Sequence, residues 1–313
     1  MTPSRRRSVV VTGASGFVGR HVVAEALARG FKVHGIGRAE QSWPDRKRLD
    51  SWHVTDLRDA WPEGLVVDAV IHLAGLAAVG PSFAHPQHYI TANSSMMTTI
   101  GEAALAGAIT GRILVVSTGG VYAGSGAAPL TEDSPLAASS PYAVSKMLVE
   151  HQADYYRRRG RDAVVARPFN HIGPGQAPGF VVPDLYAALR ALPADAPLPT
   201  GNLSTRRDYT DVRDIAQAYL DLVTAESLQH TTYNVSTGSS LSGIEILELV
   251  CEAMGRRVPE IIADPERWRP TDAMEIIGSS ERLRSERGWV PRHGPRSAIM
   301  DFVLAEGAAA GRV

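Results

Sequence analysis

Pro141-Tyr142-Ala143-Val144-Ser145-Lys146 carries a phenol and an ammonium four residues apart. In a helix that spacing puts both side chains on one face, a turn apart. Pro141 suits the first turn of such a helix. A phenol alone holds its proton to about pH 10. A lysine ammonium nearby favours the phenolate and lowers that value. The pair can then exchange a proton with an alcohol or carbonyl oxygen near neutral pH. Taken alone, Tyr-x-x-x-Lys is more often an aromatic ring and a solvated charge on a surface helix. The proton chemistry becomes useful beside a hydride carrier, so the elements before the pair matter.

Ser8-Val9-Val10-Val11 is a β-branched run that reads as a buried strand. Gly13-Ala14-Ser15-Gly16-Phe17-Val18-Gly19 follows, then a helical stretch from about Arg20 to Arg29. Strand, glycine turn, helix is the order in which helix N-terminal amides bind a pyrophosphate. Glycine permits the tight turn and the close approach of the ligand. Gly13, Ser15, Gly16, Phe17, Val18 and Gly19 are therefore the expected phosphate cradle. Further strands are read at Phe31–Ile36, Leu49–His53, Asp68–Leu73, Ile113–Val116 and Ala163–Ala166. A long helix is read over Pro86–Gly107, and the Tyr142 helix to about Arg159. The alternation implies right-handed βαβ units: an α/β fold with a doubly wound, parallel Rossmann sheet. Gly13, Gly37, Ala74 and Thr118 fall at C-terminal strand ends, where such sheets bind ligands.

The 313 residues, 44% hydrophobic and 21% charged, suit one large or two closely joined domains. A net charge of -1 argues against a nucleic-acid surface. Arg5-Arg6-Arg7 reads as a solvated tail. A single cysteine excludes an intrachain disulfide; Cys251 lies in an apolar helical run and reads as core. No signal peptide is recognised, and no apolar stretch approaches the ~18 residues of a membrane span, so a cytoplasmic location is expected. After Arg167 the texture changes. Residues 168–206 are rich in proline and glycine, with a short helix near Asp184–Leu192. Asp208–Thr224 reads as helix and Thr232–Val235 as strand. Ser242-Gly243-Ile244-Glu245 is a capping box that starts a helix to about Met254. The expected division is a dinucleotide-binding domain over 1–167, with 207–238 packing back onto it. Residues 168–313 form mainly a smaller, interleaved substrate-binding region.

Over nearly its full length the chain resembles the extended short-chain dehydrogenase/reductases that act on nucleotide sugars. The glycine motif, Asn93, Thr118, Tyr142 and Lys146 match the general pattern. Arg167-Pro168-Phe169-Asn170-His171-Ile172-Gly173-Pro174-Gly175-Gln176 and Gly179-Phe180-Val181-Val182-Pro183 are more specific. So are Gly201-Asn202-Leu203, the run Arg207 to Asp214, and Arg269-Pro270-Thr271-Asp272. Together they are similar to the GDP-4-keto-6-deoxy-D-mannose reductases. The resemblance implies Thr118, Tyr142 and Lys146 as catalytic residues. It places Arg38, Asp56, Leu57, Leu73 and Ala74, with the glycine loop, Tyr142 and Lys146, against the dinucleotide. It places Asn170, Phe180 and Val181 against the sugar nucleotide, with Arg207 and Arg269 on its diphosphate. Guanidinium groups suit that task, because they give forked, charge-assisted bonds to phosphate; the plainer alternative is a surface ion pair. His171 receives no role. The resemblance also implies a two-fold homodimer through the Pro86–Gly107 and Tyr142 helices. The Tyr142 helix carries apolar residues at Val144, Met147, Leu148 and Ala153, whose plainer role is to pack on the sheet.

Two departures from wider relatives bear on the reaction. Gly37 stands where many NAD-using relatives carry an acid for the ribose hydroxyls, and Arg38 is the adjacent cation. NADP(H) is therefore the expected cofactor, with NAD(H) as second choice. Gly119-Gly120 follows Thr118 where nucleotide-sugar 4,6-dehydratases carry a carboxylate. The leading expectation is NADPH-dependent reduction, at C4, of a nucleotide-diphosphate sugar such as GDP-4-keto-6-deoxy-D-mannose. No metal enters the scheme. The alternatives are a nucleotide-sugar C4-epimerase with retained NAD and a catalytically silent dinucleotide sensor. The presence of both Tyr142 and Lys146 speaks against the last.

Overall fold

The computed structural model describes residues 6–124, 128–193, 195–264 and 273–310. The first half alternates strand and helix. It comprises β1 (Ser8–Thr12), α1 (Phe17–Ala28), β2 (Lys32–Gly37), β3 (Ser51–Val54), β4 (Ala69–His72), α2 (Val79–Ala84), α3 (Pro86–Leu105), β5 (Ile113–Val116), α4 (Pro141–Arg158) and β6 (Ala163–Pro168). The second half holds β7 (Asn170–Ile172), α5 (Val181–Ala191), β8 (Leu198–Thr200), β9 (Arg206–Asp211), α6 (Val212–Thr224), β10 (Thr232–Val235), β11 (Ser240–Ser242), α7 (Gly243–Ala253), β12 (Ile261–Ala263), β13 (Glu275–Ile276), α8 (Glu281–Arg287) and α9 (Pro295–Ala310).

The central sheet has seven parallel strands in the order β10-β6-β5-β4-β1-β2-β3. This is the doubly wound order with β10 added at one edge. The strand sequence explains its two-sided burial: Val9 and Val11 pack into the layer of α1 and α6, while Val10 packs into the layer of α3 and α4. Each fully buried valine contributes about 1.5–3 kcal/mol through lost apolar surface. A third core joins α5, α7 and α9 through Leu189, Val250 and Phe302; Cys251, 1% exposed, lies inside it. β9 anchors a smaller sheet, antiparallel to β11 and parallel to β7 and β13.

The first-half elements begin and end within a few residues of their expected bounds. The helix expected over Asp208–Thr224 is a correction. Its start is strand β9, and the helix begins only at Val212. Tyr209 and Thr210 favour a strand, and the Asp211 carboxylate caps α6 by accepting from Arg213 N at 2.7 Å. β7 falls in a stretch that reads as irregular, because three residues give no period. The capping box at Ser242 and Glu245 is present as read. Among the described residues no helix is long and apolar enough to cross a membrane.

Candidate active site

The glycine turn is shaped by what a side chain would strike. Gly13 adopts φ +67°, and a Cβ there would lie 3.0 Å from Ala74 N. A Cβ on Gly19 would fall 2.2 Å from the Gly13 carbonyl oxygen. Only glycine lets β1 turn this tightly into α1 while touching the end of β4. Gly16 caps α1 without a side-chain bond, and the first turn carries no acid. The amides of Phe17, Val18 and Gly19 therefore have no intrahelical acceptor and sit at the positive end of the helix dipole. Such a cradle fits a pyrophosphate. Ser15 shapes it through its carbonyl, which accepts from Arg20 Nε at 2.7 Å.

Two residues that no sequence motif marked hold the neighbouring wall. Thr12 Oγ1 accepts from Leu73 N (3.1 Å) and Ala74 N (3.0 Å), which leaves its own proton for His72 Nδ1 at 2.9 Å. Burial, helped by the Lys146 charge, pushes His72 down to about 3, so it stays neutral. Thr12 and His72 are sixty residues apart, and no local spacing announces the pair. Asn93 on α3 does the same for the next loop. Its Oδ1 accepts from Leu76 N at 2.8 Å, and its Nδ2 donates to Ser145 Oγ at 2.9 Å. Ser145 in turn donates to the Tyr142 carbonyl at 2.7 Å. The loop after β4 and the start of α4 are thus tied together.

α4 starts where Ser140 Oγ accepts from Ala143 N at 3.2 Å, with Pro141 in the first turn. Tyr142 is buried, and burial pushes its phenol up to about 12; a hydrogen bond with Thr118 opposes the rise. Lys146 is also buried, which pulls it down to about 8 against the attraction of Glu150. Its Nζ donates to the Val116 carbonyl at 2.8 Å. The Tyr142 value was expected to fall beside Lys146; burial instead dominates the phenol and moves it up. Thr118 Oγ1 accepts from Gly120 N at 3.1 Å and so opens the short turn Gly119–Val121. A Cβ on Gly119 would lie 3.1 Å from the Phe169 ring, and one on Gly278 2.4 Å from the same ring. Phe169 thus fills the space beside Thr118 that a side chain at residue 119 would need.

Gly37 ends β2, and its carbonyl accepts from Thr55 N at 2.9 Å. Arg38 is exposed, and its charge helps to hold Asp56 in its ionised form. Asp56 itself is pulled down to about 2, chiefly by Arg58, which donates from Nη2 at 2.5 Å. Leu57 is buried in the layer of α3 and α4. Asn170 is exposed at the start of β7, opposite Tyr209 and hydrogen-bonded to it. Phe180, 42% exposed, precedes α5, and Val181 packs partly on the third core. Arg207 lies two residues before Tyr209 on β9 and donates from Nη1 to the carbonyls of Arg206 (2.8 Å) and Ala273 (2.9 Å). Arg269 lies outside the described residues. His171, given no role from the sequence, stacks on Phe17 with 5.9 Å between centroids. His21 bonds the Pro174 carbonyl at 2.9 Å. These two contacts set the Asn170 segment against the first two turns of α1. Among the described residues no group of three or more His, Cys, Asp or Glu side chains is placed to hold a metal ion.

Residues 9–236 match the NAD dependent epimerase/dehydratase family. The chain belongs to this family. It is 34% identical to GDP-6-deoxy-D-mannose reductase of Pseudomonas aeruginosa, over 90% of this chain and 91% of that one. The solved structure of RMD from Pseudomonas aeruginosa complexed with NADPH superposes with a TM-score of 0.81 at 29% identity, covering 97% and 99% of the two chains. The UDP-glucose 4-epimerase of Thermus thermophilus, in complex with NAD, gives 0.84 at 29% identity over 96% and 99%. The protein is thereby an enzyme of the extended short-chain dehydrogenase/reductase type.

Proposed function

We propose that the protein reduces the C4 ketone of a nucleotide-linked 4-keto-6-deoxy sugar, GDP-4-keto-6-deoxy-D-mannose or a close analogue, with NADPH as reductant. The observation that carries the reading is the end of β2, where Gly37 offers no carboxylate to repel a 2′-phosphate and Arg38 stands exposed beside it. The glycine cradle would hold the pyrophosphate, and Lys146 the nicotinamide ribose. Bound there, the dinucleotide supplies hydride. Tyr142 gives its proton to the C4 oxygen, and Thr118 hydrogen-bonds the same oxygen. A phenol raised to about 12 enters that step protonated, as a general acid must. Asn170, Phe180 and Val181 would contact the sugar nucleotide, with Arg207 and Arg269 on its diphosphate.

Dehydration is disfavoured, because it needs a further acid/base beside the substrate. Gly119 and Gly120 provide none, and Phe169 fills the space at Gly119. The likeness to a GDP-6-deoxy-D-mannose reductase supports the choice of sugar. The likeness to an NAD-bound UDP-glucose 4-epimerase supports a second reading, C4 epimerisation with retained NAD. A panel of GDP-, dTDP- and UDP-linked 4-keto-6-deoxy sugars, each incubated with NADPH, tests the proposal. Oxidation of NADPH with the GDP sugar is expected; none with any ketone would contradict it.

A further inference from the structure

β2 and β3 pair with Gly35 opposite Trp52. A Cβ on Gly35 would lie 2.6 Å from the Trp52 ring, and one on Gly37 2.5 Å from it. The indole therefore lies along β2 and occupies the volume that a side chain at residue 37 would need. The ring is held in turn by residues of the β2–β3 connection. Trp43 packs against it edge-on at 5.1 Å, and the Arg46 guanidinium sits 5.1 Å from the ring centroid. Such a cation–π contact steadies the charge without using its donors. Arg46 Nε is buried without a partner, as are Trp43 Nε1 and Trp52 Nε1. The ion pair of Arg46 is with Glu40 at 3.2 Å, whose side chain is 72% exposed. A pair that open to water is weak and easily exchanged. Asp45 pairs with Arg48 at 2.7 Å and Asp56 with Arg58 at 2.5 Å.

We propose that Trp52 and Arg46 are specificity residues for the 2′-phosphate of an adenine dinucleotide. Trp52 shuts out an acid at residue 37, and Arg46, steadied on its ring, supplies a second cation beside Arg38. The assignment rests on the NADPH reading above. A doubly charged phosphate competes for Arg46 against one exposed carboxylate, and forked guanidinium bonds favour the phosphate.

Dissociation constants of NADPH and NADH, measured by titration calorimetry, test it. The proteins are wild type, Arg46→Met, Gly37→Asp, and Gly37→Asp combined with Trp52→Val. Arg46→Met keeps the stem on the ring and removes the charge. It should weaken NADPH about tenfold or more, the scale of a lost charged hydrogen bond, and leave NADH unchanged. Gly37→Asp alone should lower the melting temperature and gain little NADH affinity. The double variant should recover the melting temperature and prefer NADH. If wild type prefers NADPH but Arg46→Met weakens both dinucleotides equally, or neither, the role of Arg46 is overturned. If Gly37→Asp alone folds normally and prefers NADH, the role of Trp52 is overturned. A wild type that prefers NADH overturns the NADPH reading, and this assignment with it.

Discussion

Tyr142 and Lys146 are displaced from their ordinary values in ways that suit reduction. The phenol, raised to about 12 by burial, is protonated at any physiological pH. The lysine, lowered to about 8, is ammonium below that pH and neutral above it. Because the folded value lies below the ordinary 10.5, the charge is lost earlier as pH rises. Turnover that depends on the ammonium should be level below pH 7 and fall through about 8, with no further limb from tyrosine. A pH–kcat profile checks this, and Lys146→Met should remove the limb along with most of the activity. Tyr142→Phe should lower kcat by about a hundredfold or more, the usual size of a general-acid effect, with dinucleotide affinity nearly unchanged by titration. The pair itself was legible, because Tyr-x-x-x-Lys at a helix start is a local pattern. The direction of the Tyr142 shift was not, because desolvation depends on what the fold brings around the ring.

Packing between the elements fills the side of Thr118 next to Gly119. Phe169, in the residue between β6 and β7, lies against both Gly119 and Gly278. Gly119→Asp should therefore not create a dehydratase. It should lower stability by about 1–3 kcal/mol, the cost of overpacking a filled site, as read from denaturant unfolding. Near-wild-type stability with a new elimination activity would contradict the packing account. The first six strands and α4 were readable from β-branched runs, glycine turns and the proline start, all local signals. β7 and β9 were not. Their pairing joins residues 170–172 to 209–211, and the Asp208–Thr224 stretch reads equally well as helix until Asp211 is seen to cap it. The contacts of Thr12 with His72 and of Phe17 with His171 escaped the sequence for the same reason: each joins residues far apart in the chain.

For the whole molecule we propose the division expected from the chain: residues 1–167, with 207–238 packed back, for the dinucleotide, and 168–313 mainly for the sugar nucleotide. We also propose a two-fold dimer through α3 and α4. Of the four apolar residues expected on its face, Val144 and Leu148 are exposed, at 43% and 38%. Met147 and Ala153 instead pack inward. Tyr155 extends the exposed face. Light scattering at micromolar concentration should give twice the 33.5 kDa chain mass, and Leu148→Arg should give the monomer. A wild-type monomer would remove the dimer proposal. The reaction itself is tested most directly with NADPH carrying deuterium at the transferable C4 position, mixed with enzyme and GDP-4-keto-6-deoxy-D-mannose. The expected result is stoichiometric loss of NADPH and a GDP-6-deoxyhexose with deuterium at sugar C4. Interconversion of two C4-epimeric nucleotide sugars without added cofactor, and no deuterium in the product, would contradict it.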